Sequence, residues 1–193
     1  MPLNIHRTRI VILGDSTVGK TALTQMFISD GANFPKNYNL TISVNVHQKQ
    51  MIIPSTDNAV EFLIFDSSGS DYFREALPKC WTDSSLLAVV YDVTQQESFE
   101  SVPDWLDTAL SCKWLGGSSH RPYAQALIAN KIDLTARRFV TEEIGRKMAD
   151  KYDFQYFETS AKENQGIEDV FIWFAKECLA NSNVGSPKRI SIF

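Results

Sequence analysis

Apolar residues along this chain alternate between two rhythms. Short runs read as strands: residues 8–13, where Ile10-Val11-Ile12-Leu13 is unbroken, then 59–65, 86–91, 124–129 and 154–158, the last edge-like. The run at 86–91 is continuous enough to lie buried on both faces of a parallel sheet. Residues 41–53 alternate imperfectly through Ile42, Val44 and Val46, which predicts a half-buried strand. A turn at 54–58 would return it as a hairpin with 59–65. Between the strands the spacing becomes helical. Residues 20–29 form one such segment, and a second carries Tyr72, Phe73, Ala76, Leu77 and Cys80. A third carries Phe99, Val102, Trp105, Leu106, Ala109 and Leu110. Thr141 would cap a fourth with Ile144 facing inward. The last has a long stripe of Ile167, Val170, Phe171, Phe174, Ala175, Cys178 and Leu179. Gly116-Gly117-Ser118-Ser119 reads as a loop. From residue 181 the chain turns to Asn, Ser, Gly, Pro and basic residues, so residues 1–181 are expected to be one domain and 182–193 a flexible polar tail.

Strands alternating with helices predict a three-layer α/β sandwich with a mostly parallel sheet, whose ligands sit beyond the carboxyl ends of the strands. The polar motifs fall at those ends. After the first strand comes Gly14-Asp15-Ser16-Thr17-Val18-Gly19-Lys20-Thr21, a glycine-rich loop opening a helix. This is a P-loop: backbone N–H groups and the helix N-terminus face a polyphosphate, Lys20 reaches its β- and γ-phosphates, and the Thr21 hydroxyl suits Mg²⁺. Asp66 ends the third strand and can hold a water of the Mg²⁺ shell, and the Gly69 N–H can sense a terminal phosphate.

Asn130-Lys131-Ile132-Asp133 follows the fifth strand. The two acceptor oxygens of Asp133 match the N1–H and N2 amine of guanine and mismatch adenine. Lys131 can lie over the purine face and Asn130 can tie this loop to the phosphate loop. Ser160-Ala161-Lys162 follows the sixth strand, and its Ala161 N–H can donate to guanine O6. Thr41 can complete Mg²⁺ coordination while a γ-phosphate is present. Tyr38, Leu40, Tyr72 and Phe73 lie near these loops as candidates for partner contact or for ordinary packing. Tyr91-Asp92-Val93-Thr94 is expected to shape a strand end near the nucleotide.

Composition changes little in this picture. At 193 residues, 44% apolar and a net charge of −4, the chain suits one globular domain and argues against a general nucleic-acid or anionic-membrane binder. Cys80, Cys112 and Cys178 are far apart without metal spacing, and read as reduced thiols at partly buried helical positions. No signal peptide opens the chain and no run approaches the roughly 20 apolar residues of a membrane span. Without secretion, Asn39-Leu40-Thr41 is not expected to act as a glycosylation site.

Over residues 8–179 these motifs resemble the Ras-superfamily small GTPases, specifically the Rab branch. The resemblance implies the P-loop small-GTPase fold: six strands, mostly parallel, with one antiparallel edge strand and helices on both faces. It implies GTP or GDP and Mg²⁺ as ligands. Gly14 to Thr21 look like the Rab P-loop, Thr41 matches the switch I threonine, and Asp66-Ser67-Ser68-Gly69 matches Asp-Thr-Ala-Gly. Lys20, Thr41 and residue 70 take the catalytic positions. Two departures stand out. Ser70 occupies the place of the glutamine that orients the attacking water, so slow hydrolysis is expected. The tail lacks the Rab prenylation cysteine, and Pro2 rules out myristoylation, so a protein is expected to place the chain.

The Rab-like body, Asp66-Ser67-Ser68-Gly69-Ser70, Glu97-Ser98-Phe99-Glu100 and the unprenylated end are similar to the Rab-like GTPase subunit of the intraflagellar transport complex. That resemblance implies a heterodimer with a small β-sandwich subunit within complex B, a link to a cargo-adaptor complex, and a place in cytoplasm, basal body and cilium or flagellum. It implies partner contact at the last helix, where Trp173 stands off the buried stripe. A conventional Rab switch anchored by another route, and a pseudo-GTPase scaffold using nucleotide for stability, stay open.

Overall fold

Ile10 and Ile12 face one side of the first strand and Val11 and Leu13 the other, and all four are wholly buried. This strand, β1 (Asn4–Leu13), therefore lies inside a sheet covered on both faces. The computed structural model describes residues 3–37, 39–81, 84–112, 114 and 122–182. Tyr38, the 116–119 loop and residues 183–193 lie outside the described residues.

Along the chain β1 is followed by α1 (Lys20–Ile28), β2 (Val44–Ile52), β3 (Asn58–Ser67), α2 (Asp71–Arg74), a 3₁₀ turn (Leu77–Cys80) and β4 (Leu86–Asp92). Then come α3 (Gln96–Glu100), α4 (Val102–Leu110), β5 (Ala124–Asn130), a 3₁₀ turn (Thr135–Arg137), α5 (Glu142–Tyr152), β6 (Gln155–Thr159) and α6 (Ile167–Ser182). The sheet has six strands in the order β2-β3-β1-β4-β5-β6. Every pairing is parallel except β2 with β3, so β2 is the antiparallel edge.

Two apolar layers enclose the sheet. On one face Leu23, Met26 and Phe27 of α1 meet Val170, Phe171 and Phe174 of α6. There the Phe27 and Phe171 rings stack at 3.5 Å with 5° between planes. On the other face Trp105 and Leu106 of α4 pack with Trp81, Tyr91 and Leu127. Burial of side chains this size contributes about 1.5–3 kcal/mol each.

Several elements differ from their sequence expectation, each for a local reason. β1 begins at Asn4 because its register with β3 runs out to Asn58. The segment from Tyr72 to Cys80 is broken, since Pro78 lacks the N–H a continuous helix needs. Pro103 likewise opens α4 and separates it from α3. In β2, Val46 is 53% exposed and Ile42, before the strand, 69%, as befits the edge of the sheet; Met51, on the opposite face, packs against the core. Thr141 does cap α5, accepting from the Ile144 N–H at 3.4 Å, but Ile144 faces outward at 46% exposure. The inward face of α5 carries Gly145 instead, because a Cβ there would fall 2.5 Å from the Tyr91 hydroxyl oxygen and 2.7 Å from that of Tyr156. Cys80 is exposed rather than half-buried, while Cys112 and Cys178 are buried, and all three thiols are free. Helix α6 runs to Ser182, one residue past the expected domain boundary.

Candidate functional site

The carboxyl ends of β1, β3, β4, β5 and β6 deliver the predicted polar loops to one end of the sheet. Gly14 to Gly19 leave β1 and enter α1 at Lys20. Gly19 sits at φ 102 with its Cβ position 2.3 Å from Asn130 Nδ2, so only glycine fits there. Thr17, a β-branched residue at φ 67, is held in a strained left-handed conformation at the exposed tip of the loop. Val18 is buried and turns its carbonyl oxygen toward β5.

Lys20 is buried beneath the loop and donates to the carbonyl oxygens of Gly14 at 2.7 Å and Asp15 at 2.6 Å. Burial lowers its pKa to about 8, against the opposing pull of Asp66 and Asp15. A polyphosphate would supply the negative charge that such a desolvated ammonium lacks.

Thr21, Thr41 and Asp66 form an oxygen cluster. Thr21 Oγ1 donates to Asp66 Oδ2 at 2.7 Å and lies 3.1 Å from Thr41 Oγ1. Asp66 Oδ1 is buried with no hydrogen-bond partner, and burial raises the Asp66 pKa despite the Thr21 bond and the charges of Lys20 and His47. Three hard oxygen donors and one unsatisfied buried carboxylate oxygen fit Mg²⁺, with remaining positions for water and phosphate. Thr21 and Thr41 would hold the ion directly and Asp66 directly or through water, and the ion's charge would neutralise phosphate oxygens. A cleft of about 120 Å³ opens here between Lys20, Thr21, Pro35, Thr41 and Gly69.

The base end is built from β5 and β6. Asn130 Nδ2 donates to the Val18 carbonyl at 2.9 Å, while its Oδ1 accepts from Thr159 Oγ1 at 3.1 Å and from the Ala161 N–H at 3.2 Å. The Ala161 N–H, expected to face guanine O6, is therefore engaged with Asn130 in this structure. Ser160 Oγ donates to Asp133 Oδ1 at 2.6 Å, leaving Oδ2 to face a ligand. Lys131 Nζ is 2.6 Å from Asp92 Oδ2, and Asp92 is buried at 1% exposure. Thr94 donates its N–H and hydroxyl to Asp92 Oδ1, both at 2.8 Å. The strand-end role expected of Asp92 is thus specific: it fixes the lysine that can lie over a purine. Lys162 is exposed at the lip, 3.6 Å from Glu163.

Beyond Asp66 the chain crosses the phosphate loop. A Cβ on Gly69 would fall 2.3 Å from both Asp15 C and Ser16 N, so this glycine allows direct backbone contact. Ser70 is half-exposed, and its N–H donates to Ser68 Oγ at 3.2 Å. Tyr72 is 87% exposed with its ring 5.1 Å from that of Phe73, which is partly buried against the core. Asp15 points its side chain away from the cleft, accepting from Trp105 Nε1 at 2.7 Å. Sequence reasoning left Trp105 and Arg74 out of the site; Trp105 carried only a helical-spacing signal, and its partner lies 90 residues away.

A larger groove of about 340 Å³ lies at the opposite end of the sheet, between Tyr123, Gln125, Asp153, Phe154, Trp173 and Glu177. Donors and carboxylates converge on the smaller cleft, a lining that suits a phosphate-bearing ligand. Trp173 is half-buried, with its ring 5.7 Å from that of Phe157 and 4.8 Å from that of Phe174. Gln125 Oε1, beside it, is buried without a partner.

Comparison with known proteins agrees with this geometry. Residues 9–180 match the family model described as Ras family. The chain is 41% identical over 169 residues to the intraflagellar transport protein 27 homolog of Bos taurus, covering 88% of each protein, and equally so to that of Homo sapiens. It is 34% identical over 156 residues to intraflagellar transport protein 27 of Chlamydomonas reinhardtii, covering 80% of this chain and 75% of the relative. With the sheet order, the phosphate loop and a family match that spans nearly the whole chain, this protein belongs to the Ras family.

Proposed function

We propose that this chain is a guanine-nucleotide-binding GTPase with slow intrinsic hydrolysis, serving as a subunit of an intraflagellar transport complex in the cilium or flagellum. The observation that carries the nucleotide reading is the Asn130 side chain. Itself the first residue of one base-recognition loop, it bonds the phosphate loop through Val18 and the other base-recognition loop through Thr159 and Ala161. One ligand spanning both ends, a guanosine polyphosphate, fits that tie.

Gly14 to Thr21 would cradle the phosphates, with Lys20 holding charge on the β- and γ-oxygens. Asp133, steadied by Ser160, would accept from the base. Hydrolysis requires water to form a bond to the γ-phosphorus as the bond to the β-bridging oxygen breaks. Ser70 offers only a short hydroxyl at the position where that water must be oriented, which supports a long-lived GTP state.

The transport reading is supported by the likeness to proteins named intraflagellar transport protein 27 in mammals and an alga. The finer form is a heterodimer with a small β-sandwich subunit within complex B, with a link to a cargo-adaptor complex and to the basal body. Trp173 and the groove beside it are a suitable docking place, and Tyr72 and Phe73 a second contact near the nucleotide.

Titration calorimetry with Mg²⁺ tests the first half. GDP and GTP should bind, and ATP at least about 100-fold more weakly, which is about 2.7 kcal/mol. Absence of GDP and GTP binding would remove the nucleotide reading, and equal ATP affinity its guanine part. Affinity capture from ciliated cells tests the second half: a stoichiometric β-sandwich partner is expected, and recovery of vesicle-tethering machinery alone would favour a conventional Rab.

A further inference from the structure

The α2 segment is four residues long and buries none of them, yet it lies directly against the phosphate loop. Two side chains hold it: Phe73 is partly buried against the core, and Arg74 reaches back to the phosphate loop. The Arg74 guanidinium lies over the Trp105 ring, 4.2 Å from its centroid. Its Nη2 is 3.9 Å from Asp15 Oδ1 and 3.3 Å from Asp71 Oδ1. Asp15 Oδ1 is itself fixed by the N–H of the wholly buried Trp105. Arginine suits this place because its planar group stacks on an indole while its edge meets carboxylates.

None of these contacts uses a ligand. Thr41, by contrast, has its side-chain hydrogen bond with Thr21 in the oxygen cluster suited to Mg²⁺. The two loops flanking the cleft are therefore secured differently. One depends on what sits in the cleft, and the other is fastened from behind by the core.

We propose that Arg74 is a positioning residue: through Asp15 and the face of Trp105 it clips α2 to the phosphate loop and keeps Gly69 against Asp15 and Ser16 whichever nucleotide is bound. This rests on the guanine-nucleotide reading above and deepens it. Tyr72 and Phe73 then present the same surface with GDP as with GTP, so a partner docking there reads the presence of nucleotide rather than its third phosphate. Beyond the fixed Gly69 N–H, any movement that follows the nucleotide is left to the segment around Leu40 and Thr41.

Hydrogen-exchange mass spectrometry on the full chain, loaded with GDP or a non-hydrolysable GTP analogue in Mg²⁺, tests this. In the native protein, protection over residues 70–77 should differ by less than about twofold between the two nucleotides, while residues 39–43 are protected more by the GTP analogue. Arg74→Ala should make residues 70–77 exchange at least about tenfold faster with GDP than with the analogue. Arg74→Lys, which keeps the charge beside Asp15 and Asp71 but not the planar group over Trp105, should restore only part of the GDP-state protection, which a general loss of folding would not allow. Equal protection in native protein and Arg74→Ala overturns the clip. So does a native α2 that loosens with GDP while the loop amides at 14–21 stay protected. Loop amides left unprotected by both nucleotides overturn the guanine-nucleotide reading and the clip with it.

Discussion

Asn130 and Val18, 112 residues apart in sequence, are joined by a 2.9 Å hydrogen bond from the asparagine amide to the valine carbonyl. Asn130 is 1% exposed, and its amide oxygen accepts from Thr159 and Ala161. Replacement by alanine would strand one buried acceptor and two buried donors. Each such orphan costs about 1–3 kcal/mol. Asn130→Ala should therefore lower stability by about 3 kcal/mol or more in urea unfolding and weaken GDP binding in the same preparation.

Gly69 meets the phosphate loop backbone to backbone. Gly69→Ala places a methyl 2.3 Å from Asp15 C and Ser16 N, so the segment must retreat. A retreat removes the only N–H proposed to meet a γ-phosphate while leaving the GDP contacts in place. Affinity for a non-hydrolysable GTP analogue should fall about tenfold relative to GDP, about 1.4 kcal/mol. Unchanged relative affinity in a competition titration would show that Gly69 does not sense the third phosphate.

Behind the base-recognition loops, the Tyr91 and Tyr156 hydroxyls are 3.3 Å apart, and Tyr156 donates to Glu158 at 2.9 Å. Arg138 pairs with the same Glu158. Burial pushes the Tyr91 pKa up from 10.0 to about 12 and raises that of Tyr156 as well. Because the folded values lie above the unfolded ones, the neutral phenols stabilise the fold fully below pH 10.0, and that contribution drains away as pH rises toward about 12. Denaturant midpoints should be flat with respect to these groups below pH 10.0 and fall above it. Tyr91→Phe should blunt that fall, since it removes one of the two titrating hydroxyls.

The architecture was legible because β4 is a continuous apolar run, β5 is broken only by Gln125, and the polar loops sit where each strand stops. Loop chemistry is local in sequence, so Lys20, Asp66, Asn130 and Asp133 could be placed without coordinates. Contacts made at a distance could not. Nothing near Asp15 announces that its carboxylate meets Trp105, or that Arg74 lies over that ring. The outward turn of Ile144 was equally hidden, because it follows from two tyrosines on other elements claiming the space beside Gly145. Helix breaks at Pro78 and Pro103 were readable in principle, but apolar spacing ran through both and outweighed them.

Ser70 offers the most direct test of chemistry. Its backbone N–H is engaged with Ser68 Oγ at 3.2 Å and its side chain is half-exposed, so the position has room for a longer residue. Glutamine there would carry a carboxamide able to donate to and accept from an attacking water. If the slow step is the orientation of that water, Ser70→Gln should raise single-turnover GTP hydrolysis at least about tenfold, about 1.4 kcal/mol off the barrier. Nucleotide affinity should stay near the native value, because the backbone of Ser70 is bonded to Ser68 and Phe73 within its own segment. Ser70→Ala should hydrolyse at the native rate if the serine hydroxyl contributes nothing. A rise with glutamine and no fall with alanine would locate the deficit in this one side chain. No rise would place it elsewhere, with Thr41 or with the clipped α2 as the next groups to vary.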